Sequence, residues 1–265
     1  MNELWLICAA GIFVYMTVFF VAAMALKDNG IVDIAWGGAF ILVVLLTLFQ
    51  VESFTARHLL LNGLVLLWGL RLAFHIHSRN RTRRGEDFRY AEWRRTWGKT
   101  FVWRSFLQIY MLQGLLALLI ATPILLVNHS RGPALTGLDF VGLAVWCLGF
   151  FFETVGDYQL LQFKRNGASQ GKIIMCGLWR YTRHPNYFGE ATLWWGLFLI
   201  AVSVPGGWQA LISPVLLSFL LLKVSGIPML EAKYAGRPDW EAYKRRTNAF
   251  FPWFPKSGSG LNNEG

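Results

Sequence analysis

Acidic residues are scarce in this chain: fifteen Asp and Glu stand against twenty-five Lys and Arg, and charged residues make up 15% of the 265. Cysteine is scarcer, at three (Cys8, Cys147 and Cys176), scattered without metal-ligand spacing. That excludes a disulfide framework and a zinc knuckle. Cys8 and Cys147 lie inside apolar runs and read as packing residues. No internal repeat is visible, and no stretch reads as a soluble second domain. Ahead of Lys27 there is neither a basic cluster nor a small-residue cleavage site, so the first apolar stretch is expected to be a retained span and not a signal peptide. Apolar residues are what the chain has in excess. It is 55% hydrophobic with a mean hydropathy of +0.41, where a soluble domain holds about 45–50% apolar residues. The reading is an all-α polytopic membrane protein.

Apolar runs between charged or turn-like breaks place seven spans near 4–26, 31–50, 59–78, 105–127, 138–163, 186–204 and 208–230, each approaching the length that crosses hydrocarbon as a helix. The connecting segments are unequal in charge. Segment 79–104 carries Arg79, Arg81, Arg83, Arg84, Arg89, Arg94, Arg95, Lys99 and Arg104. Segment 164–185 carries Lys164, Arg165, Lys172, Arg180 and Arg183, and the tail adds Lys233, Arg237, Lys244, Arg245, Arg246 and Lys256. The segments VESFTARH and NHSRGPALTG hold one arginine each. Seven crossings put the three basic segments on one face, and the positive-inside bias makes that face cytoplasmic, with the N-terminus outside. The formal charge of +10 is then a matter of topology and anionic lipid, not of nucleic acid. Residues 1–255 read as one membrane-embedded domain and 256–265 as a flexible tail. Trp179, Trp194, Trp195, Trp208, Trp240 and Trp253 near span ends are expected to form an interfacial belt.

Ionisable groups within or beside spans are costly and need partners or a function. Asp33 opens the second span. Glu153 and Asp157 lie four apart in the fifth, on one helical face, where they must be protonated, paired or facing a wet cavity. Arg71 and His75 repeat the spacing in the third span and are possible structural partners of Asp33 or Glu153. The densest polar stretch is GLWRYTRHPNYFGE, 177–190. Pro185 suits a first helical turn, so a helix is expected to start at Pro185–Asn186. Its N-terminus, preceded by Arg180, Arg183 and His184, suits an anion. Glu190 follows one turn later, within reach of Arg183, Lys223 or a ligand amide.

RYTRHPNYFGE and the aromatic span after it resemble the C-terminal region of the steroid 5α-reductase-like superfamily, most closely its bacterial branch. Sterol C14-reductases are similar in this segment, and isoprenylcysteine carboxyl methyltransferases more distantly so. DNGIVDIAWG, RRGEDFRY, GDYQL and the tail pattern of Glu231, Tyr234, Tyr243, Arg246, Phe250 and Pro252 extend the resemblance over nearly the whole chain, most strongly over 139–255. It implies about seven helices enclosing an NADPH cavity open to the cytoplasmic side, in a bacterial inner membrane. A lipophilic substrate would enter from the bilayer. Carried over by motif position, Asn186 meets the nicotinamide carboxamide, Glu190 supports it and Asp157 lies in the cofactor pocket. Lys164 and Lys223 lie toward the phosphates, joined by Arg180, Arg183 and His184. Glu231, Tyr243 and Arg246 complete the cofactor set. An asparagine amide both donates and accepts, matching the carboxamide.

The pair of residues that engages an enone carbonyl in steroid reductases has no counterpart here, so the proton donor is sought among Asp33, His75 and Tyr187. Double-bond reduction needs a hydride donor held against the alkene and an acid to complete it. Two other readings stand beside this one. One is a methyltransferase using S-adenosylmethionine, for which the segment after His184 is less suited because it carries Asn186 and Glu190. The other is a non-enzymatic membrane protein whose basic loops serve topology alone.

Overall fold

The computed structural model describes residues 1–51, 53–81, 85–130, 134–169 and 171–256. Arg83, Arg84 and nearly all of the expected tail fall outside them. All regular structure among the described residues is helical. In chain order the helices are α1 (Asn2–Leu26), α2 (Ile31–Leu48), α3 (Ala56–Arg81), α4 (Phe88–Trp97), α5 (Phe101–Arg104), α6 (Leu112–Ile120), α7 (Thr122–His129), α8 (Gly137–Arg165), α9 (Pro185–Val202), α10 (Ile212–Phe219), α11 (Ile227–Ala232) and α12 (Pro238–Arg246). Two π-helical turns, Ser105–Met111 and Leu220–Val224, interrupt the sequence of α-helices.

Six helical stretches are long and apolar enough to cross a bilayer: Asn2–Leu26, Ile31–Leu48, Ala56–Asn80, Phe88–Ile120, Gly137–Arg165 and Gly207–Ala232. This is an integral membrane protein. The segment expected to cross at 186–204 forms the 18-residue helix α9, which lies outside the six because Asn186, Tyr187 and Glu190 occupy its first turns. The span expected at 105–127 starts earlier, at Phe88, and stops at Ile120. Ala121 breaks the helix there, and Pro123 opens the next one in its first turn, the position where proline's missing N–H costs nothing.

The chain forms two compact units. The first comprises Met1–Phe140 with Phe198–Ser213, the second Val141–Leu197 with Pro214–Gly265. In the first, α2 packs against α1, α3, α6 and α7. Gly37 and Gly69 let α2 and α3 approach closely, since a Cβ at Gly37 would stand 3.0 Å from the Gly69 carbonyl oxygen. Several buried polar groups in this unit are paired with one another. Arg57, expected in a connecting segment, is 2% exposed and donates through Nε and Nη2 to the two oxygens of Asp139 at 2.7 and 2.8 Å. Asn62 and Asn128 exchange amide hydrogen bonds at 2.7 and 3.0 Å, and Asn128 also donates to Thr47.

The second unit is organised by glycine. On α8, Gly142, Gly149 and Gly156 recur every seven residues; on α9, Gly189 and Gly196 do the same. Gly156 faces Pro185 and Asn186, Gly149 faces Gly189 and Leu193, and Gly196 faces Gly142 and Trp146. A seven-residue repeat keeps one seam of a helix facing its partner, and glycine lets the two backbones touch. A Cβ at Gly189 would lie 2.3 Å from the Glu153 nitrogen, and one at Gly149 2.4 Å from the Leu193 nitrogen. No rotamer change relieves a clash with backbone. Gly189→Ala and Gly149→Ala are therefore expected to destabilise by at least the ~1–3 kcal/mol typical of overpacking. Gly63→Ala on α3, with nothing within 4 Å of the added carbon, should be neutral or stabilise by roughly 0.5–1 kcal/mol through helix propensity. Thermal unfolding of the three variants in detergent checks the ordering.

Candidate functional site

The start of α9 is held from three directions. Behind it, the segment 181–184 is laced to residues 247–253 of the chain's end. Arg183 N–H donates to the Asn248 carbonyl at 2.9 Å, Trp253 N–H to the Tyr181 carbonyl at 2.9 Å, and Thr182 Oγ1 to the Phe250 carbonyl at 2.8 Å. Thr182 Oγ1 also accepts from His184 N–H at 3.3 Å. Beside it, Glu231 on α11 collects two of the motif's basic side chains: its Oε1 lies 2.9 Å from Arg183 Nε, 2.8 Å from Arg183 Nη2 and 3.1 Å from His184 Nε2. Arg183 Nη1 reaches the carbonyl of Thr247, and the guanidinium stands 5.8 Å from the Trp240 ring centroid, within cation–π range. Below it, Trp179 donates from Nε1 to the Gly156 carbonyl at 3.1 Å, and Tyr243 donates its hydroxyl to the Trp179 carbonyl. Gly177 has φ of +60°, and a Cβ there would strike the Gln159 amide. That amide accepts from Leu178 N–H at 2.9 Å.

This frame presents the Asn186 side chain to α8. Its Nδ2 donates to Asp157 Oδ1 at 3.1 Å. Asp157 is 8% exposed. A carboxylate oxygen only accepts from an amide, so this contact fixes which end of the amide is which. The other end, Asn186 Oδ1, is buried and has no hydrogen-bond partner among the described residues. A buried acceptor without a donor costs about 1–3 kcal/mol, and a ligand N–H would recover it. Glu190 lies one turn on from Asn186, half-buried. Tyr187 stacks on the His184 imidazole at 5.5 Å and 11°.

The expected site residues therefore divide. Asp157, Asn186, Tyr187 and Glu190 gather on α8 and the first turns of α9. Arg183, His184, Glu231 and Tyr243 are buried or half-buried in the frame, with their hydrogen bonds directed inward. Lys164 at the end of α8, Arg180, Lys223 in the π turn and Arg246 at the end of α12 are exposed cations of the same unit. His75, half-buried on α3, and Asp33 belong to the first unit. Asp33 accepts from Arg89 Nη2 at 2.8 Å, Arg79 Nη2 at 3.4 Å and the Tyr90 hydroxyl at 2.8 Å. Neighbouring Glu86 accepts from Asn29 N–H at 2.8 Å and takes both ends of the Arg94 guanidinium at 2.9 Å. DNGIVD and GEDFRY are thus two halves of one polar lock.

Sequence reading missed the glycine seam, although its seven-residue spacing is written in the chain. It also read Trp179, Trp194 and Trp240 as interfacial. They are buried, at 7%, 0% and 4% exposure, because Trp179 holds a carbonyl and Trp240 lies against Arg183.

Comparison with known proteins adds the following. The family model described as "Protein of unknown function (DUF1295)" matches residues 19–247. An uncharacterised protein of Schizosaccharomyces pombe is 23% identical over 223 residues, 74% of this chain and 63% of its own length. The 3-oxo-5-alpha-steroid 4-dehydrogenase 1 of Bos taurus is 34% identical over 65 residues, 24% of this chain and 25% of its own. The human protein of the same name is 33% identical over 66 residues, 25% and 26% respectively. The chain thus spans under two thirds of the yeast relative and about a quarter of each dehydrogenase. No solved structure matches.

Glu231→Gln removes the charge opposite Arg183 and should cost on the order of 3–5 kcal/mol, as breaking a buried pair does. The thermal midpoint reads it. Burial holds the His184 imidazole below its ordinary value of 6.5, against the opposing pull of Glu231. A base whose folded pKa is lowered contributes stability above its unfolded pKa and loses it as pH falls through the folded value. Stability should therefore drop on acidification below the ordinary imidazole range, and His184→Gln should flatten that limb in a pH series of unfolding midpoints.

Proposed function

The chain belongs to the DUF1295 family, the steroid 5α-reductase-like family, and on that premise we propose that it is an NADPH-dependent reductase of a carbon–carbon double bond in a lipophilic molecule. One observation carries the reading: Asn186 has one end of its amide tied to Asp157 and the other buried without a donor. A primary carboxamide is the complement of that arrangement, since its N–H satisfies Oδ1. Glu190, on the same face, adds a second acceptor for the carboxamide N–H pair.

When bound, NADPH would supply hydride to one carbon of the double bond. The chain's own residues do the rest. Asp157 fixes the Asn186 amide so that it does not turn over. The frame of Arg183, His184, Glu231 and Tyr243 holds α9 in place behind it. Lys164, Arg180, Lys223 and Arg246 are the exposed cations we assign to the phosphates. Tyr187 is our choice of proton donor, because it occupies the turn next to Asn186 and is braced by the His184 ring. Asp33 is already the acceptor of two guanidiniums and a phenol, an arrangement that favours a lock over an acid. His75 remains a candidate on α3. The basic segments face the cytoplasm in this reading, and α9 crosses the bilayer as the sixth of seven spans with its polar turns toward the protein interior.

Titration of the purified chain with NADPH, NADH and S-adenosylmethionine tests it. A ligand that binds only the folded state stabilises by RT ln(1 + [L]/Kd), about 2.7 kcal/mol at a hundredfold excess over Kd. NADPH should raise the unfolding midpoint, and Asn186→Ala should abolish most of that rise. Tyr187→Phe should keep the NADPH response while losing turnover. Selective stabilisation by S-adenosylmethionine would instead favour a methyltransferase.

A further inference from the structure

The end of the chain, FFPWFP at 250–255, is irregular backbone carrying large apolar rings outward. Phe251, Trp253 and Phe254 are 69%, 68% and 75% exposed. Phe251, Pro252 and Trp253 line a groove whose other wall is Leu148 and Phe152 of α8 and Phe188 of α9. The rings interlock within it: Phe152 and Phe188 are 5.0 Å apart edge-on, and Phe188 stands 6.2 Å from Phe251.

The depth of this groove is bounded by helix geometry. Helix α8 has 29 residues, about 43 Å at 1.5 Å per residue, and the hydrocarbon layer is about 30 Å thick. Wherever a spanning α8 is placed along the membrane normal, its residues from about 146 to 157 stay inside hydrocarbon. Leu148 and Phe152 fall in that interval, so the groove they form with the tail lies among acyl chains. It is continuous with the outward face of the same helix, where Leu148 and Phe151 are 49% and 52% exposed.

Non-helical backbone survives at membrane depth only if its polar groups are satisfied or removed. Part of the segment meets that condition. Pro252 and Pro255 have no N–H to satisfy. Trp253 N–H is spent on the Tyr181 carbonyl, the Ala249 and Phe250 carbonyls take the Thr182 hydroxyl, and Lys256 N–H closes onto the Arg246 carbonyl at 2.9 Å. Exposed cations flank it: Lys244 and Arg245 upstream and Lys256 downstream, where anionic headgroups would lie.

We infer that residues 250–255 form a non-helical aromatic wedge set into the leaflet on the basic side, and that phospholipid acyl chains occupy the groove between it and Leu148, Phe152 and Phe188. The inference rests on the chain being an integral membrane protein and is independent of its enzymatic reading.

Photo-crosslinking of the full chain in nanodiscs of phosphatidylethanolamine and phosphatidylglycerol tests it. Benzoylphenylalanine is placed singly at Trp253, at Phe254, at Phe151 as the lipid-facing reference and at Arg245 as the water-side reference. Positions 253 and 254 should give phospholipid adducts by mass at the yield of 151, while 245 gives none. A pattern at 253 and 254 matching 245 would overturn the wedge, and a crosslinked pair of chains would replace lipid by a second copy. Should either variant unfold, wild-type tryptophan emission in acyl-brominated lipid, less that of Trp253→Phe, reports the same position. Quenching of the difference signal is expected, and an unquenched difference would overturn the inference.

Discussion

A single carboxylate oxygen, Glu231 Oε1, gathers Arg183 and His184, and the architecture around the start of α9 depends on it. Without an anion at that point, a guanidinium 7% exposed and an imidazole 4% exposed would sit together in a low-dielectric setting. With it, both become struts. Arg183 then has its remaining donors free to hold the Lys244 and Thr247 carbonyls, which fastens the end of α12. That in turn positions residues 248–253 to pair with 181–183. Arg183 and His184, expected beside an anion, brace the turn that carries Asn186.

The brace supplies position, and the glycine seam supplies proximity. Asn186 can reach Asp157 because Gly156 lets the first turn of α9 lie directly on α8. A larger residue would hold the helices apart by the width of a side chain, and a 3.1 Å hydrogen bond does not survive such a displacement. Positional accuracy in this site therefore comes from backbone contact between two helices, which is stiffer than contact through side chains. One amide oxygen is left without a donor inside this stiff setting. A loosely packed protein would relax to satisfy it; here the seam and the brace prevent that.

Much of the architecture was legible in the sequence because hydrocarbon imposes a length and a composition on anything that crosses it. Five of the seven expected spans coincide with long apolar helices within a few residues. The fourth differed because the helix runs back through the polar segment 88–104, where amphipathic aromatic residues and not hydropathy sustain it. The sixth, α9, evaded a purely hydropathic criterion for the reason that makes it interesting, namely its polar first turns. One charge was read wrongly in detail. Arg57 belongs to a buried ion pair with Asp139, and nothing in its local sequence marks a partner 82 positions away. The tryptophans failed similarly: an indole beside a span end reads the same whether it faces lipid or holds a carbonyl, as Trp179 does. Asp157 and Asn186 were legible as candidates from the motif. Their contact was not, since it is made by a fold in which residues 29 apart meet across two antiparallel helices.

The seven-residue spacing of the glycines has a consequence for how the chain can change in length. One residue inserted between Gly149 and Gly156 turns everything beyond it by about 100° around the helix axis, so Gly156 leaves the seam and Asp157 points elsewhere. Inserting a whole heptad keeps the angle but slides Asp157 about 10 Å past Asn186. Connecting segments such as 166–176 face neither restriction. Natural variants should accordingly vary in length between α8 and α9 and hold the count constant within them, as a gear tolerates a longer shaft but not a missing tooth.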